Sequence, residues 1–379
     1  MVRRLLMWDE TLFRDPLVFE VDYIPDTFRF REEQIAELSF QIQPALRGSR
    51  PMHSLCRGPP GTGKTTTIKK LFDEIEETTK KIACVHINCK IDNTKYAIMA
   101  KIFKRLIGHL PLPSGTSFKQ VYDAIFRHIL KEDQILIVCL DDANYLIYEK
   151  EINNLLYPLL RAHEEYEHVR VGIILIFSDM DLDPAAAFDG RVASVLNHAE
   201  IFFPPYTAAE VEEILRMRII QGFYPHVVPD EMLALVVDRT MRTGDLRVGI
   251  DLLKRAGLLA ERDARTSVSQ DDVCRAYQVS ERYHIASLIR TLRDDERYVL
   301  RVIALMSRED SGMTAGEVHT RVKEETGIMY TRYYEIVQKL DLIRLINLDY
   351  RPGRGRTRVI SLRYSPEKIC AEVGSAETI

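Results

Sequence analysis

The sequence predicts an α/β base domain built on a parallel sheet, then an all-helical domain, then a C-terminal winged helix-turn-helix domain. Three observations predict it. Buried-strand runs alternate with amphipathic helical stretches over the first half of the chain, the pattern of a parallel sheet covered on both faces. A glycine-rich turn, Gly58–Thr65, stands between the first strand and the next helix. Three short helical stretches near the C-terminus run into a basic hairpin.

The base domain is expected over residues 1–205. Apolar residues at helical spacing predict a helix over 31–47, and Met52–Cys56 is a short strand leading into GPPGTGKT. The following TTTIKKLFDEIEETTK places Ile68, Leu71, Phe72 and Ile75 on one helical face. Ile82–Asn88 reads as a buried strand, 94–109 and 118–131 as helices. The runs 135–140 and 171–177 read as two more buried strands, with the helical stretch 149–166 between them. Pro204–Pro205 can continue neither a helix nor a central strand, so a hinge is expected there.

Residues 206–281 are expected to be helical only, and 282–379 to form the winged-helix domain. Its elements are a linking helix Arg282–Arg293, helices at 294–307, 314–325 and 331–341, and strands at 342–349 and 357–364 around the turn RPGRGRTR. Thr314-x-x-Glu317 is a capping box that opens the middle helix.

At 379 residues, with 46% hydrophobic and 28% charged, the chain can bury two or three cores and is unlike collagen, disordered chains or disulfide scaffolds. The apolar runs ILIVCL and IILIF fall far short of the roughly 18 residues of a membrane span. The opening MVRRLLMWDE lacks the apolar stretch of a secretory signal. A soluble, cytoplasmic protein with no membrane partner is expected. Six cysteines without a CxxC pair point to reduced thiols rather than zinc. Net charge is −4, yet residues 328–364 hold eight Lys/Arg against three Asp/Glu. That local excess indicates a DNA-facing end and, with it, nucleoid association.

The turn is a full GxxxxGK[ST] with a strand before it and a helix after it. Gly58, Gly61 and Gly63 let backbone N–H groups turn inward around phosphate oxygens, and the helix start adds its positive end. In this motif Lys64 reaches the β- and γ-phosphates and Thr65 offers a hydroxyl to Mg²⁺. The run Ile135–Leu140 ends in Asp141-Asp142. There Asp141 would hold the Mg²⁺ shell, and Asp142 would orient or deprotonate the attacking water.

GPPGTGKT, LDD, FFPPYTAAEVEEIL and GDLRVGIDLLKRAG, in that order, make the chain resemble an AAA+ ATPase. More narrowly it resembles the archaeal replication initiators related to the origin recognition complex and the helicase loader. With DYIPDTFRFREEQI at the front and the winged helix at the end, the resemblance covers nearly the whole chain. It implies that Gly61, Thr62, Gly63, Lys64, Thr65 and Thr66 bind ATP or ADP. It also implies that Tyr206, Arg218 and Arg247 contact the nucleotide, Tyr206 by stacking on adenine and Arg247 by sensing the γ-phosphate from the helical lid. Arg191 would act in trans on a neighbouring subunit's nucleotide.

Two residues depart from that family's pattern. Glu is usual after the metal-binding Asp, and Asp142 is one methylene shorter, a retraction of about 1.5 Å. The polar sensor, usually Asn, falls on Asp179, or on Ser178 if the alignment shifts by one. Both changes suggest tight nucleotide binding with slow turnover, at most a slow Mg²⁺-dependent ATPase. The resemblance further implies binding of double-stranded origin DNA and recruitment or loading of the replicative helicase, with paralogous initiator subunits as further candidate partners.

For DNA, the third helix of the winged helix offers Arg332, Tyr333, Tyr334 and Lys339, while Ile336, Val337 and Leu340 form its core face. The wing carries Arg351, Arg354, Arg356 and Arg358 around two glycines, planar donors suited to phosphates and narrow minor grooves. Two rival functions share these parts: a nucleotide-gated transcription regulator, and a transposition or partition ATPase that assembles on DNA.

Overall fold

The computed structural model describes residues 11–20, 22–25, 28–108, 115–180, 182–290, 292–308, 313–343, 345–350 and 358–376. Five strands, β1 (His53–Arg57), β2 (Ile82–Asn88), β3 (Ile135–Asp141), β4 (Val171–Phe177) and β5 (His198–Phe202), form one sheet in the order β2-β3-β4-β1-β5. Every pairing in it is parallel.

Strand alternation divides the core in two. Leu136, Val138 and Leu140 of β3 join Ile173 and Leu175 of β4 beneath the helices Lys95–Ile107, Phe118–Lys131 and Ile152–Leu160. Their neighbours Ile135, Ile137, Cys139, Ile174 and Ile176 face the other way, onto the helices Glu32–Leu46 and Lys64–Thr78. Both faces are apolar because both are covered, which is why these strands read as unbroken hydrophobic runs. Four cysteines lie inside this body, and burial pushes the Cys56 and Cys84 thiols up to about 12.

His53, at the start of β1, is 6% exposed and accepts the Ile173 N–H on Nδ1 at 3.1 Å. Burial, helped by Arg50, lowers its pKa to about 4. The unfolded chain therefore takes up this proton first. Stability is full above the ordinary value near 6.5, falls with pH below it, and levels off near 4, a loss of about 3 kcal/mol. His53→Asn keeps an acceptor for Ile173. Urea midpoints from about pH 7.5 to about pH 4.5 should fall more steeply in the natural protein than in this variant; parallel curves would exclude the assignment.

The chain divides into two compact units, and the division differs from the expected boundaries. One unit spans 20–217 with 244–247; the other spans 1–19, 218–243 and 248–379. The segment 11–19 belongs with the helical unit, because Phe13 bridges Phe223 and Phe13, Phe19 and Phe223 pack as an aromatic trio. The boundary expected at 281/282 falls inside one continuous helix, Gln270–Arg290. No proline or glycine interrupts that stretch, and its apolar residues serve both neighbours.

The winged helix has helices Asp294–Met306, Ala315–Thr326 and Tyr330–Leu342, then the antiparallel pair β6 (Ile346–Tyr350) and β7 (Arg358–Leu362). The Thr314 box forms as expected, with Thr314 Oγ1 accepting the Glu317 N–H and Glu317 accepting in return. A final helix, Pro366–Ala376, was not foreseen; Ile369 and Val373 seat it in the domain core. Among the described residues no helix is long and apolar enough to cross a membrane.

Candidate functional site

The loop after β1 turns into the helix Lys64–Thr78 through Gly63, whose φ of +86° is the left-handed region that glycine enters without strain. A Cβ there would lie 2.6 Å from the Tyr206 hydroxyl, so the glycine also makes room for Tyr206. Gly61 likewise abuts the Asp245 carboxylate, which a side chain would displace.

Lys64 is 5% exposed, and its ammonium donates to the Gly58 and Pro59 carbonyls at 2.7 Å each. Burial lowers its pKa to about 8, offset in part by Asp142 and Asp141. A buried cation held by two carbonyls and, at 3.5 Å, the Thr62 hydroxyl is a receptor for a polyanion that supplies a charge partner. The loop therefore fits the phosphates of ATP or ADP. Thr65 Oγ1 donates to Asp141 Oδ2 at 2.8 Å, bringing two hard oxygen ligands together at the loop. That donor set suits Mg²⁺.

His86, on the neighbouring strand β2, meets the same Asp141 oxygen at 3.0 Å, and Asp141 Oδ1 accepts the Asp142 N–H. Burial raises the Asp141 carboxyl, and the His86 and Thr65 bonds overcome this, leaving it below the ordinary carboxylate value. Such partners hold a metal-binding carboxylate in one orientation. Asp142 sits at φ +54°, a left-handed position that Asp tolerates. Ser178 donates to its Oδ1 at 2.9 Å. Burial, then the charge of Asp141, raises the Asp142 pKa.

Ser178, not Asp179, occupies the polar position beside Asp142. Asp179 turns to the surface and accepts the Tyr148 hydroxyl, so its assignment as sensor is corrected.

Tyr206 is buried under the Arg31 guanidinium, 3.8 Å above its ring. Arg31 also donates to the Thr62 and Pro204 carbonyls, tying hinge and loop together. Arg247 forks onto Asp245, with Nε on Oδ1 at 3.0 Å and Nη2 on Oδ2 at 2.6 Å. The Asp245 bonds hold Arg247 above its ordinary pKa. Arg191 is two-thirds exposed, bonded to Asp189 and 5.2 Å from the Tyr157 ring. Thr62 is buried with its hydroxyl on the Pro59 carbonyl, and Thr66 follows Thr65 on the helix.

Arg218, expected at the nucleotide, lies in the helical unit. It is 8% exposed, and its guanidinium donates to the Val18 carbonyl at 3.0 Å, anchoring the N-terminal segment to the helical unit.

In the winged helix Tyr333 is corrected too. It is 2% exposed with its hydroxyl on the Ala315 carbonyl, a core residue closed to DNA. Arg332 and Lys339 carry their charges to the acidic start of Asp294–Met306: Arg332 to Asp295 at 2.8 Å, Lys339 to the buried Glu296 at 2.6 Å. Both are held by ion pairs while part of each side chain stays exposed, because the first helix presents Asp295 and Glu296 to the third. Tyr330 and Tyr334 remain exposed, with Arg358 5.1 Å above the Tyr334 ring. Arg351, Arg354 and Arg356 lie outside the described residues.

Sequence reasoning did not single out Arg31, His86 or Asp245. The strand pattern placed His86 beside β3, but only the register, His86 opposite Cys139, puts its ring on Asp141.

Residues 47–185 match the AAA domain model and residues 212–278 the Cdc6 AAA+ ATPase-type lid domain model. The chain is 43% identical over 367 residues to the ORC1-type DNA replication protein 6 of Halobacterium salinarum, covering 96% of this chain and 97% of that one. Its structure is similar to that of the Aeropyrum pernix ORC1 protein in complex with DNA, with TM-score 0.70, 26% identity, and 98% and 100% of the two chains covered. The A. pernix ORC2 protein, solved as ADPNP-ADP complexes, shares the fold at TM-score 0.76 and 24% identity, with 97% and 99% covered.

Proposed function

This chain belongs to the ORC1-type DNA replication proteins, and from that premise we propose that it is an ATP-switched replication initiator that recognises double-stranded origin DNA and helps recruit or load the replicative helicase. It is an AAA+ protein with a nucleotide-binding loop, and Mg²⁺ is assigned to Thr65 and Asp141. Bound there, the ion would neutralise phosphate oxygens, while His86 keeps the Asp141 carboxylate turned toward it.

The observation that carries the switch reading is the Ser178–Asp142 hydrogen bond at 2.9 Å. The group expected to activate water is one methylene short and held by a neighbour. That arrangement binds nucleotide well and turns it over slowly. Arg191, exposed beside Asp189, would act in trans on a paralogous subunit's nucleotide.

Arg247 is the element that would distinguish the two nucleotides, exchanging its Asp245 partner for the γ-phosphate. Arg247→Ala is expected to keep ADP affinity and weaken ATP about tenfold, read by fluorescent-nucleotide competition. Equal loss of both would make Arg247 a structural residue only.

Chromatin immunoprecipitation with sequencing tests the function itself. Enrichment at the peak of replication-marker frequency is the expected result. Peaks spread over promoters would establish a regulator instead, and sequence-independent coverage an ATPase that assembles on DNA.

A further inference from the structure

The helical unit contains a cleft of about 630 Å³, within the size range of small-molecule pockets. Its walls are the end of the helix Asp230–Thr243, the middle of Gln270–Arg290, strands β6 and β7, and the start of the C-terminal helix. Four cations line it, Arg239, Arg242, Arg363 and Lys368, against the single carboxylate of Glu281.

Some of these cations already have partners, among them Arg363, whose Nε donates to the Ile346 carbonyl at 3.0 Å. Lys368 is bonded to Glu281, and Arg242 reaches Asp238 at 2.9 Å, outside the lining. Among the described lining residues with Asp238 added, four cations stand against two carboxylates, and a concave positive site with protein walls concentrates anions. Arg242 keeps 58% of its side chain exposed, so its guanidinium can reach a guest without unfolding anything.

The remaining lining is suited to a planar group. Tyr277 lies on the wall with Arg239 5.1 Å from its ring centre, and Gln278 and Asn347 offer carboxamides. A short phosphate chain fits a cleft of this volume.

We infer that this cleft is a second ligand site, for an oligophosphate either free or as the phosphate chain of a nucleotide. It shares no residue with the Gly58–Thr65 loop. It joins helices of the lid to the wing strands, so a bound anion would cross-link the two.

The test uses the full chain carrying Lys64→Ala, which removes the loop's phosphate contact, and titrates ATP and inorganic triphosphate separately by calorimetry. One residual site for both anions is expected, weakened about tenfold or more by Arg242→Gln with Lys368→Gln and restored by Arg242→Lys with Lys368→Arg. Because losing Lys368 exposes the buried Glu281 charge, Arg242→Gln alone provides a gentler second variant, expected to weaken both anions in the same direction. Tighter binding of ATP than of triphosphate would assign the base to the Tyr277 wall; equal binding would assign the phosphates alone.

Three results would overturn the inference. The first is no residual binding in the Lys64→Ala chain. The second is residual binding indifferent to both glutamine variants, which would place it in the loop and count against the role given to Lys64 instead. The third is unchanged anion binding with a flatter salt dependence of duplex binding, which would make the cleft a DNA-backbone contact.

Discussion

Lys64→Ala is expected to lower affinity for ATP and ADP at the loop by about 100-fold or more, so that the protein purifies without nucleotide there. The ammonium is buried and makes two short bonds to loop carbonyls, the geometry of a group held ready for phosphate. Each charge-assisted bond to phosphate contributes about 1.5–3 kcal/mol, and two of them amount to the expected loss. The readouts are nucleotide released on denaturation and a direct titration. A thermal melt without nucleotide serves as control, because the same substitution removes the bonds to Gly58 and Pro59. Nucleotide retained at natural levels by a folded variant would show that the phosphates lie elsewhere.

Removing the wing's charge should have the next largest effect. Arg354→Ala with Arg356→Ala is expected to weaken binding to every duplex and to flatten the slope of log K against log salt by about two units, since each lost phosphate contact returns about 0.9. The third helix gives these arginines added importance. Arg332 and Lys339 are engaged with Asp295 and Glu296, so less of the positive field available to DNA comes from that helix than its sequence suggests. Anisotropy on cognate and scrambled duplexes across a salt series measures both affinity and slope. An unchanged slope in a variant with natural circular dichroism would remove the wing from the interface.

Local rules made much of this protein legible. Uninterrupted apolar runs at 135–140 and 171–177 announced strands buried on two faces, and the structure places them side by side as β3 and β4. The capping box at Thr314 and the glycines of the loop act within a few residues, so their geometry follows from residue type and spacing. The Thr65–Asp141 pair was legible for a related reason: parallel strands deliver their C-terminal ends to one edge, where the loop after β1 also lies.

The misplaced residues fail for one shared reason. Tyr333 and Asp179 are polar residues on elements whose position was predicted well, and a polar residue on a helix or strand end can face ligand, solvent or a neighbour. Spacing along the chain does not decide which. Tyr333 was claimed by the Ala315 carbonyl, and Asp179 by Tyr148. The same holds for the domain limits, where Phe13 finds Phe223 and carries the N-terminal segment away from the base.

The sequence alone therefore determined the order of elements, the phosphate loop and the acidic strand end, because backbone geometry and burial periodicity are set within a few neighbouring residues. Tertiary structure alone decided that His86 steadies Asp141, that Ser178 rather than Asp179 meets Asp142, and that Arg247 rests on Asp245. Those are hydrogen bonds between side chains brought within about 3 Å by packing, and a shift of one residue in register or one turn of a helix would replace each partner with another.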